Sequence, residues 1–413
     1  MSNTRKALGA VAALAATALA FGVALPAHAA ATPLKFGALI PQTGALAFLG
    51  APIQAGYQLA VDDINAAGGV NGAPVQIKFA DEADSSTPAV VQASAKSLLS
   101  WGANVVLGAA SSSDSKNVIN NIVAHKVVQI SSSNTSPDFT TWKDNGFYFR
   151  TAPSDFAQGS VLGNQVVADG NRKVAILYQD SSYGQGLEGK LAEVIKAKGA
   201  TVTSALKFTT GESNFKSLVS KAIASGPDAI VLVSYDESKK AIPAIKAAGF
   251  KGSKLYLVDG NTVDYSTNSF GKYLAGAQGT TPTAAEDKAF EARAAANYAT
   301  HNKGKKLADF TYTAASYDAV VAAALAAVEA KANDGTSIKN HLTGITAGTE
   351  KVTSFKAGAA AIAAGKTIHY NGFSGPIDFD KNGDPAGASI GVFKYDATGK
   401  PALVKVVAAN AAN

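Results

Sequence analysis

Residues 111–113 and 131–133 are two runs of three serines, and each follows a short apolar stretch. Hydroxyls so placed could attack an acyl group, cap a helix, or hold a polar ligand. Attack needs a G-x-S-x-G turn that exposes the serine. Ser112 sits in Ala110-Ser-Ser-Ser-Asp114, without the second glycine. A serine triad also needs a histidine. Of the five present, His28 is in the N-terminal leader and His125 is in a helix-ending turn. His301 and His341 fall in polar loops, and His369 precedes a late strand. An exported serine hydrolase using Ser112 is therefore the weakest reading, and no enzyme is expected. The acidic group Asp81, Glu82 and Asp84 has no histidine partner and no EF-hand spacing, so it is expected to be a solvated loop without metal. No Walker A pattern occurs, and Tyr183-Gly-Gln-Gly186 is too short to cradle phosphate, so no cofactor is expected.

Binding remains. Ser112 stands where a strand gives way to a helix. The free N–H groups and the positive dipole end of a helix start suit a carboxylate. Ser133 and Thr135 occupy the neighbouring strand end, where hydroxyls add directional hydrogen bonds without net charge. Plain N-capping is the competing explanation for Ser112. Asp259 ends an apolar strand in the other half of the chain. A carboxylate facing hydroxyls and a helix start makes a bipolar site, one end for a carboxylate and the other for an ammonium. Tyr183 and Tyr235 lie at two more strand ends and could wall an apolar pocket, with ordinary packing as the alternative.

The elements that must position these residues alternate strand and helix. Apolar runs at 35–40, 75–79, 105–107 and 127–130 read as strands, separated by helical periodicities near 53–64, 88–100 and 118–123. The order restarts with strands at 174–177, 202–208, 229–233 and 255–258, and helices near 187–195, 215–222 and 241–248. The expected fold class is α/β, with two doubly wound parallel-sheet lobes. In such sheets ligands bind beyond the carboxyl ends of the strands, where the serines, tyrosines and Asp259 lie. Further on, helices are expected over 287–298 and 317–331, a strand over 375–380 and a last strand over 388–395.

The chain has 413 residues, 47% hydrophobic and 16% charged, which suits a globular protein of two domains. The net charge of +6 is scattered rather than interleaved with aromatics, so no nucleic-acid partner is expected. Arg5 and Lys6, the uncharged stretch 7–25 and Ala27-His-Ala29 have the pattern of a secretory signal peptide over 1–29. Cysteine is absent, which excludes a disulfide framework and a lipidated cysteine. No second stretch reads as apolar and long enough to span a bilayer. An exported monomer is expected, its mature chain starting near Ala30.

The stretches "LKFGALIPQTGALAFLG", "DINAAGGVNGAPVQI", "GAASSSDS", "ISSSNTSPDFT", "FRTAPSDFAQG", "DSSYGQGL", "LYLVDGNT" and "GPIDFDKNGD" follow one another in this order. The chain thereby resembles the type I periplasmic solute-binding proteins, in the leucine/isoleucine/valine (branched-chain amino acid) receptor branch that serves ABC importers. The resemblance implies two lobes joined by three crossings, 30–153 plus 281–388 and 154–280 plus 389–413. It implies a periplasmic receptor with an inner-membrane ABC permease as partner and a small amino acid, branched and aliphatic, as ligand. By the family pattern Ser112, Ser133 and Thr135 hold the α-carboxylate and part of the ammonium. Asp259 takes the ammonium, and Tyr183, Tyr235 and Tyr312 form walls. Leu49 stands where the family often has an aromatic. The stretch 335–369 is longer than in the amino-acid receptors. Relatives that take amides, urea or aromatic acids leave those ligands as the alternative.

Overall fold

A computed structural model describes residues 32–283 and 287–410; the expected signal peptide lies outside them. Strand β1 (Lys35–Ile40) is buried along nearly its whole length, as a parallel strand covered on both faces must be. It pairs with β2 (Gln76–Asp81) and β3 (Val105–Leu107), and β4 (Val128–Ser131) and β5 (Tyr148–Arg150) complete the sheet. All pairings are parallel, in the order β2-β1-β3-β4-β5.

Side chains alternate between the two faces of this sheet. Phe36, Ala38, Ile40, Val105 and Leu107 share one cluster with Ile53, Tyr57 and Ile64 of α1 (Gly50–Ala66). Leu39 and Val106 point the other way, onto Val91, Ala95 and Leu98 of α2 (Pro88–Ser100) and Val118 and Ile122 of α3 (Ser112–Ala124).

The second sheet has seven strands, in the order β14-β13-β10-β9-β8-β6-β7. Its parallel part is β6 (Lys173–Gln179), β7 (Thr201–Phe208), β8 (Ala229–Val233), β9 (Leu255–Leu257) and β10 (Gln278–Pro282). Helices α4 (Asp155–Ala168) to α7 (Ser238–Ala247) connect and cover it, α5 spanning Ser182–Ala197 and α6 Lys216–Ala224. The chain therefore passes from the first sheet to the second after β5, returns after β10, and crosses again before β13 (Gly387–Tyr395).

Several expectations need correction. The second sheet is mixed, because β13 runs antiparallel to β10 and β14 (Pro401–Asn410) antiparallel to β13. β14 escapes the sequence reading because it is an edge strand with Val404 61% exposed, so burial does not impose an apolar run. The boundaries expected at 281 and 388 fall inside β10 and β13. Gln278-Gly-Thr-Thr-Pro282 has no apolar run to mark it as a strand, and cross-strand pairing alone makes it one. No continuous strand forms over 375–380, where Phe379 makes only an isolated pairing with Pro385.

Residues 335–370 build a small annex. α10 (Gly335–Leu342), β11 (Glu350–Val352), α11 (Phe355–Ala363) and β12 (Ile368–Tyr370) follow α8 (Lys288–His301) and α9 (Thr313–Ala330), with β11 and β12 paired in parallel. Ile338, Leu342, Phe355 and Ile368 pack into the first lobe's core with α9. By length and composition α9 could cross a membrane, contrary to expectation, yet most of it is buried inside the first lobe. Its apolarity is that of a central core helix.

Candidate ligand-binding cleft

The first lobe's wall begins where β3 ends. Gly108 turns the chain with φ +92°, and a Cβ there would stand 2.3 Å from the Leu39 carbonyl oxygen, so only glycine fits. Ser111 is the N-cap of α3, its hydroxyl accepting from the Asp114 N–H at 3.3 Å. Glu82, expected to be solvated, is instead fully buried behind this turn. It accepts from the N–H of Ala110 (2.9 and 2.8 Å) and of Ser111 (3.0 Å). Burial pushes its carboxyl well above the usual range. An α-helix start leaves four N–H groups without intrahelical partners. Those of Ser111 and Asp114 are taken, which leaves the N–H groups of Ser112 and Ser113 to the cleft.

The second serine run stands beside the first. Ser131 Oγ donates to the Ala109 carbonyl (2.9 Å), and Ser133 Oγ to that of Ala110 (3.3 Å). The Asn134 amide reaches both carbonyls, at 3.0 and 2.9 Å. Ser112 Oγ accepts from the Ser136 N–H at 3.3 Å. Arg150, wholly buried at the end of β5, donates from below to the carbonyls of Asn134 (3.2 Å) and Ser136 (2.8 Å).

The second lobe contributes Asp259, just past β9. Tyr183 OH donates to its Oδ1 and Tyr312 OH to its Oδ2, both at 2.6 Å, and Gln158 Nε2 donates to Oδ1 at 3.1 Å. Tyr183 stacks on Tyr235 with centroids 5.1 Å apart and planes within 13°. Tyr312, which caps α9, holds a left-handed backbone (φ 63°) while it makes this bond. A non-glycine residue in that region is uncommon, and such strain collects at functional sites. Gly260 lets the two rings close in. A Cβ there would lie 2.6 Å from Ser234 O and 2.8 Å from Tyr235 Cδ1. Gly260→Ala is expected to cost about 1–3 kcal/mol and to weaken ligand binding. A thermal melt and calorimetry read the two effects separately.

A second acid completes the site. Asp155, the first residue of α4, is fully buried, and among the described residues no donor reaches either oxygen in hydrogen-bond geometry. Its N–H donates to the Thr135 carbonyl at 2.7 Å, and the Thr135 hydroxyl stands close enough to draw its pKa down somewhat. Burial, and then the charge of Asp259, nevertheless hold the carboxyl well above the usual range. Asp259 is raised too, by burial, against the pull of its three side-chain donors.

The lobes touch across the cleft mouth. The Ser182 N–H donates to Ser113 Oγ (3.1 Å), and Ser182 Oγ meets Ser136 Oγ (2.8 Å) and Asp138 (2.9 Å). Ser85 and Thr210 pair at 3.0 Å.

A family described as periplasmic binding proteins matches residues 33–400. The chain belongs to the periplasmic binding protein family. A Leu/Ile/Val-binding protein homolog of Brucella melitensis is 27% identical over 386 residues, 90% of this chain and 93% of that one. Among solved structures, a branched-chain amino acid transporter substrate-binding protein of Streptococcus pneumoniae in complex with isoleucine superposes with a TM-score of 0.72 at 23% identity, covering 92% of this chain and 100% of that one. A solute-binding protein of an ABC transporter from R. palustris in complex with benzoate gives 0.72 at 17%, covering 92% and 98%. Members of the family are binding receptors rather than enzymes, and family membership places this protein outside the cytoplasm.

Within this periplasmic binding protein, four of the eight residues singled out from sequence form a bonded and stacked group: Asp259 holds Tyr183 and Tyr312, and Tyr235 stacks on Tyr183. Ser112, Ser133 and Thr135 lie on the first lobe's wall, and Asp155 donates its N–H to the Thr135 carbonyl and feels the charge of Asp259. Leu49, buried at the end of a single 3-10 turn before α1, shares an apolar cluster with the three tyrosines and makes no ring or hydrogen-bond contact with them. Sequence reasoning passed over Asp155 and Gln158, and placed Glu82 in a solvated loop. The only signal for Asp155 was its place in "FRTAPSDFAQG", where an acid opening a helix needs no function.

Proposed function

We propose that this protein is the extracytoplasmic receptor of an ABC importer and clamps a small α-amino acid between its lobes. The observation that carries this is the pair Asp155 and Asp259. Two buried carboxylates, neither of them in an ion pair, stand near a helix start with two available N–H groups; the charge of Arg150 reaches Asp155, but its guanidinium is committed to Asp384. A zwitterion is complementary to that arrangement: its carboxylate suits the N–H groups of Ser112 and Ser113 with the hydroxyls of Ser112, Ser133 and Thr135. Its ammonium suits the acids, which burial alone leaves costly. Each lobe then supplies part of the contacts, so binding favours the closed state. A cleaved leader over 1–29, a membrane permease as partner and a monomeric state belong to the same proposal. The names of relatives suggest a branched-chain side chain, for which Tyr183, Tyr235 and Tyr312 supply apolar surface.

Isothermal calorimetry of the purified protein with a panel of α-amino acids tests this. At least one is expected to bind, and the matching compound without its amino group is not. Asp259→Ala is expected to weaken the bound amino acid by at least about tenfold. Absence of heat with every amino acid, or full affinity in Asp259→Ala, rejects the zwitterion reading.

A further inference from the structure

A second buried acid stands at the other end of the serine turn. Asp114 is the third residue of α3, and it is wholly buried. A helix-start acid of this kind ordinarily reaches back to the N-cap N–H, completing a capping box. Here that N–H, of Ser111, is already bound to Glu82. Only half of the box is made, by the Asp114 N–H on Ser111 Oγ. Among the described residues neither carboxylate oxygen of Asp114 has a hydrogen-bond partner in good geometry. The Ser111 and Asn117 side chains stand near enough to lower its pKa somewhat, but they form no well-aligned bond to either oxygen, so helix capping does not account for the carboxylate.

The first turn of α3 faces the second lobe, since the neighbouring Ser113 hydroxyl accepts from the Ser182 N–H. Across from it, Glu237 Oε2 accepts from the Tyr235 N–H at 2.9 Å, and Glu237 Oε1 from Gln179 Nε2 at 3.0 Å. The remaining amide oxygen of Gln179 is buried without a partner. The Tyr235 hydroxyl lies in the combined field of Asp259, Asp114, Glu237 and Asp155, so all four acids stand near this one aromatic wall. Burial, with Asp84 adding its charge, pushes Asp114 up to about 7. No lysine or arginine among the described residues forms an ion pair with Glu82, Asp84, Asp114 or Glu237.

We infer that the ligand is an α-amino acid whose side chain ends in a second cation, received by Asp114 with Gln179 Oε1 beside it. This rests on the α-amino-acid reading above and replaces its branched-chain side chain with a cationic one. An aliphatic side chain of similar length would seal a buried carboxylate away from water with nothing to pair it, which is the costly arrangement. An ammonium or guanidinium offers several donors to that carboxylate and to the amide oxygen.

The test is calorimetry at pH 8, after co-purified ligand has been removed by unfolding and refolding, with L-lysine, L-ornithine, L-arginine, L-leucine and L-isoleucine. One of the three cationic amino acids is expected to bind about 10- to 100-fold more tightly than leucine or isoleucine, the range of a charge-assisted hydrogen bond. Asp114→Asn is expected to erase that advantage. Leucine or isoleucine binding as tightly as the best cationic amino acid overturns the inference and leaves the amino-acid reading standing. Silence with all five, where other amino acids bind, also overturns it; silence with every amino acid sinks both. A preference that survives in Asp114→Asn removes the assignment to Asp114. If that variant does not fold, the preference of the unaltered protein alone decides the ligand class.

Discussion

Asp155→Asn is expected to lose amino-acid affinity by about two to three orders of magnitude and at the same time to raise the thermal midpoint of the ligand-free protein. The two effects share one cause. The Asp155 carboxylate is buried, lacks a donor in good geometry, and stands near the charge of Asp259, which together outweigh the opposing pull of the Thr135 hydroxyl and the Arg150 charge. Its folded pKa therefore lies well above the unfolded value of about 3.9. A group with a raised folded pKa contributes its stability fully below the unfolded pKa and loses it as pH rises through the folded one. At pH 8 the ligand-free protein bears this cost and Asp155→Asn does not. Toward pH 4 the difference should vanish, and melts across that window check it.

An incoming ammonium reverses the balance, because it pairs the ionised form. Binding should then release protons from the Asp155–Asp259 pair. Affinity should rise with pH and level off once the pair is ionised without ligand. Calorimetry in two buffers of different ionisation enthalpy counts the protons. Full affinity in Asp155→Asn would show that the ammonium is held elsewhere.

Much of this site was legible in the sequence because α/β topology does the placing. Once residues 105–107 and 255–258 read as strands, Ser112 and Asp259 had to lie at carboxyl ends, where a doubly wound sheet opens its crevice. What sequence could not supply was burial. Asp81, Glu82 and Asp84 look alike in the chain, yet Asp81 stays partly exposed beside Thr43 while Glu82 turns inward onto two N–H groups. Asp114 carries no signal of its own in the sequence, and only the Glu82 bond to the Ser111 N–H shows that a capping box is not its role. β5 is three residues long and ends in a charged side chain, so no apolar pattern announced it. The annex over 335–369 was visible only as extra length, since its short elements gain their stability from α9 rather than from their own periodicity.

Arg150 is where fold and site depend on the same side chain. Its guanidinium makes a bidentate pair with Asp384, Nε to Oδ1 at 2.7 Å and Nη2 to Oδ2 at 2.9 Å, and both residues are buried. Asp384 lies on the third crossing, so the pair ties the end of the first sheet to the chain on its way to β13. Arg150→Met is expected to cost about 3–5 kcal/mol in a urea melt, because it strands a buried carboxylate. Replacing both partners by apolar residues, Arg150→Met with Asp384→Leu, should recover much of that loss, since a buried pair can often be exchanged for packing. Affinity should not recover with it. Arg150 Nη1 also holds the carbonyls of Asn134 and Ser136, and those anchor the loop that presents Ser133 and Thr135. A stable double variant with weak binding separates the positioning role from the structural one. If the double variant regains both stability and affinity, Arg150 serves the fold alone, and the serine loop is held by the Ser131 and Asn134 bonds to the Ala109 carbonyl.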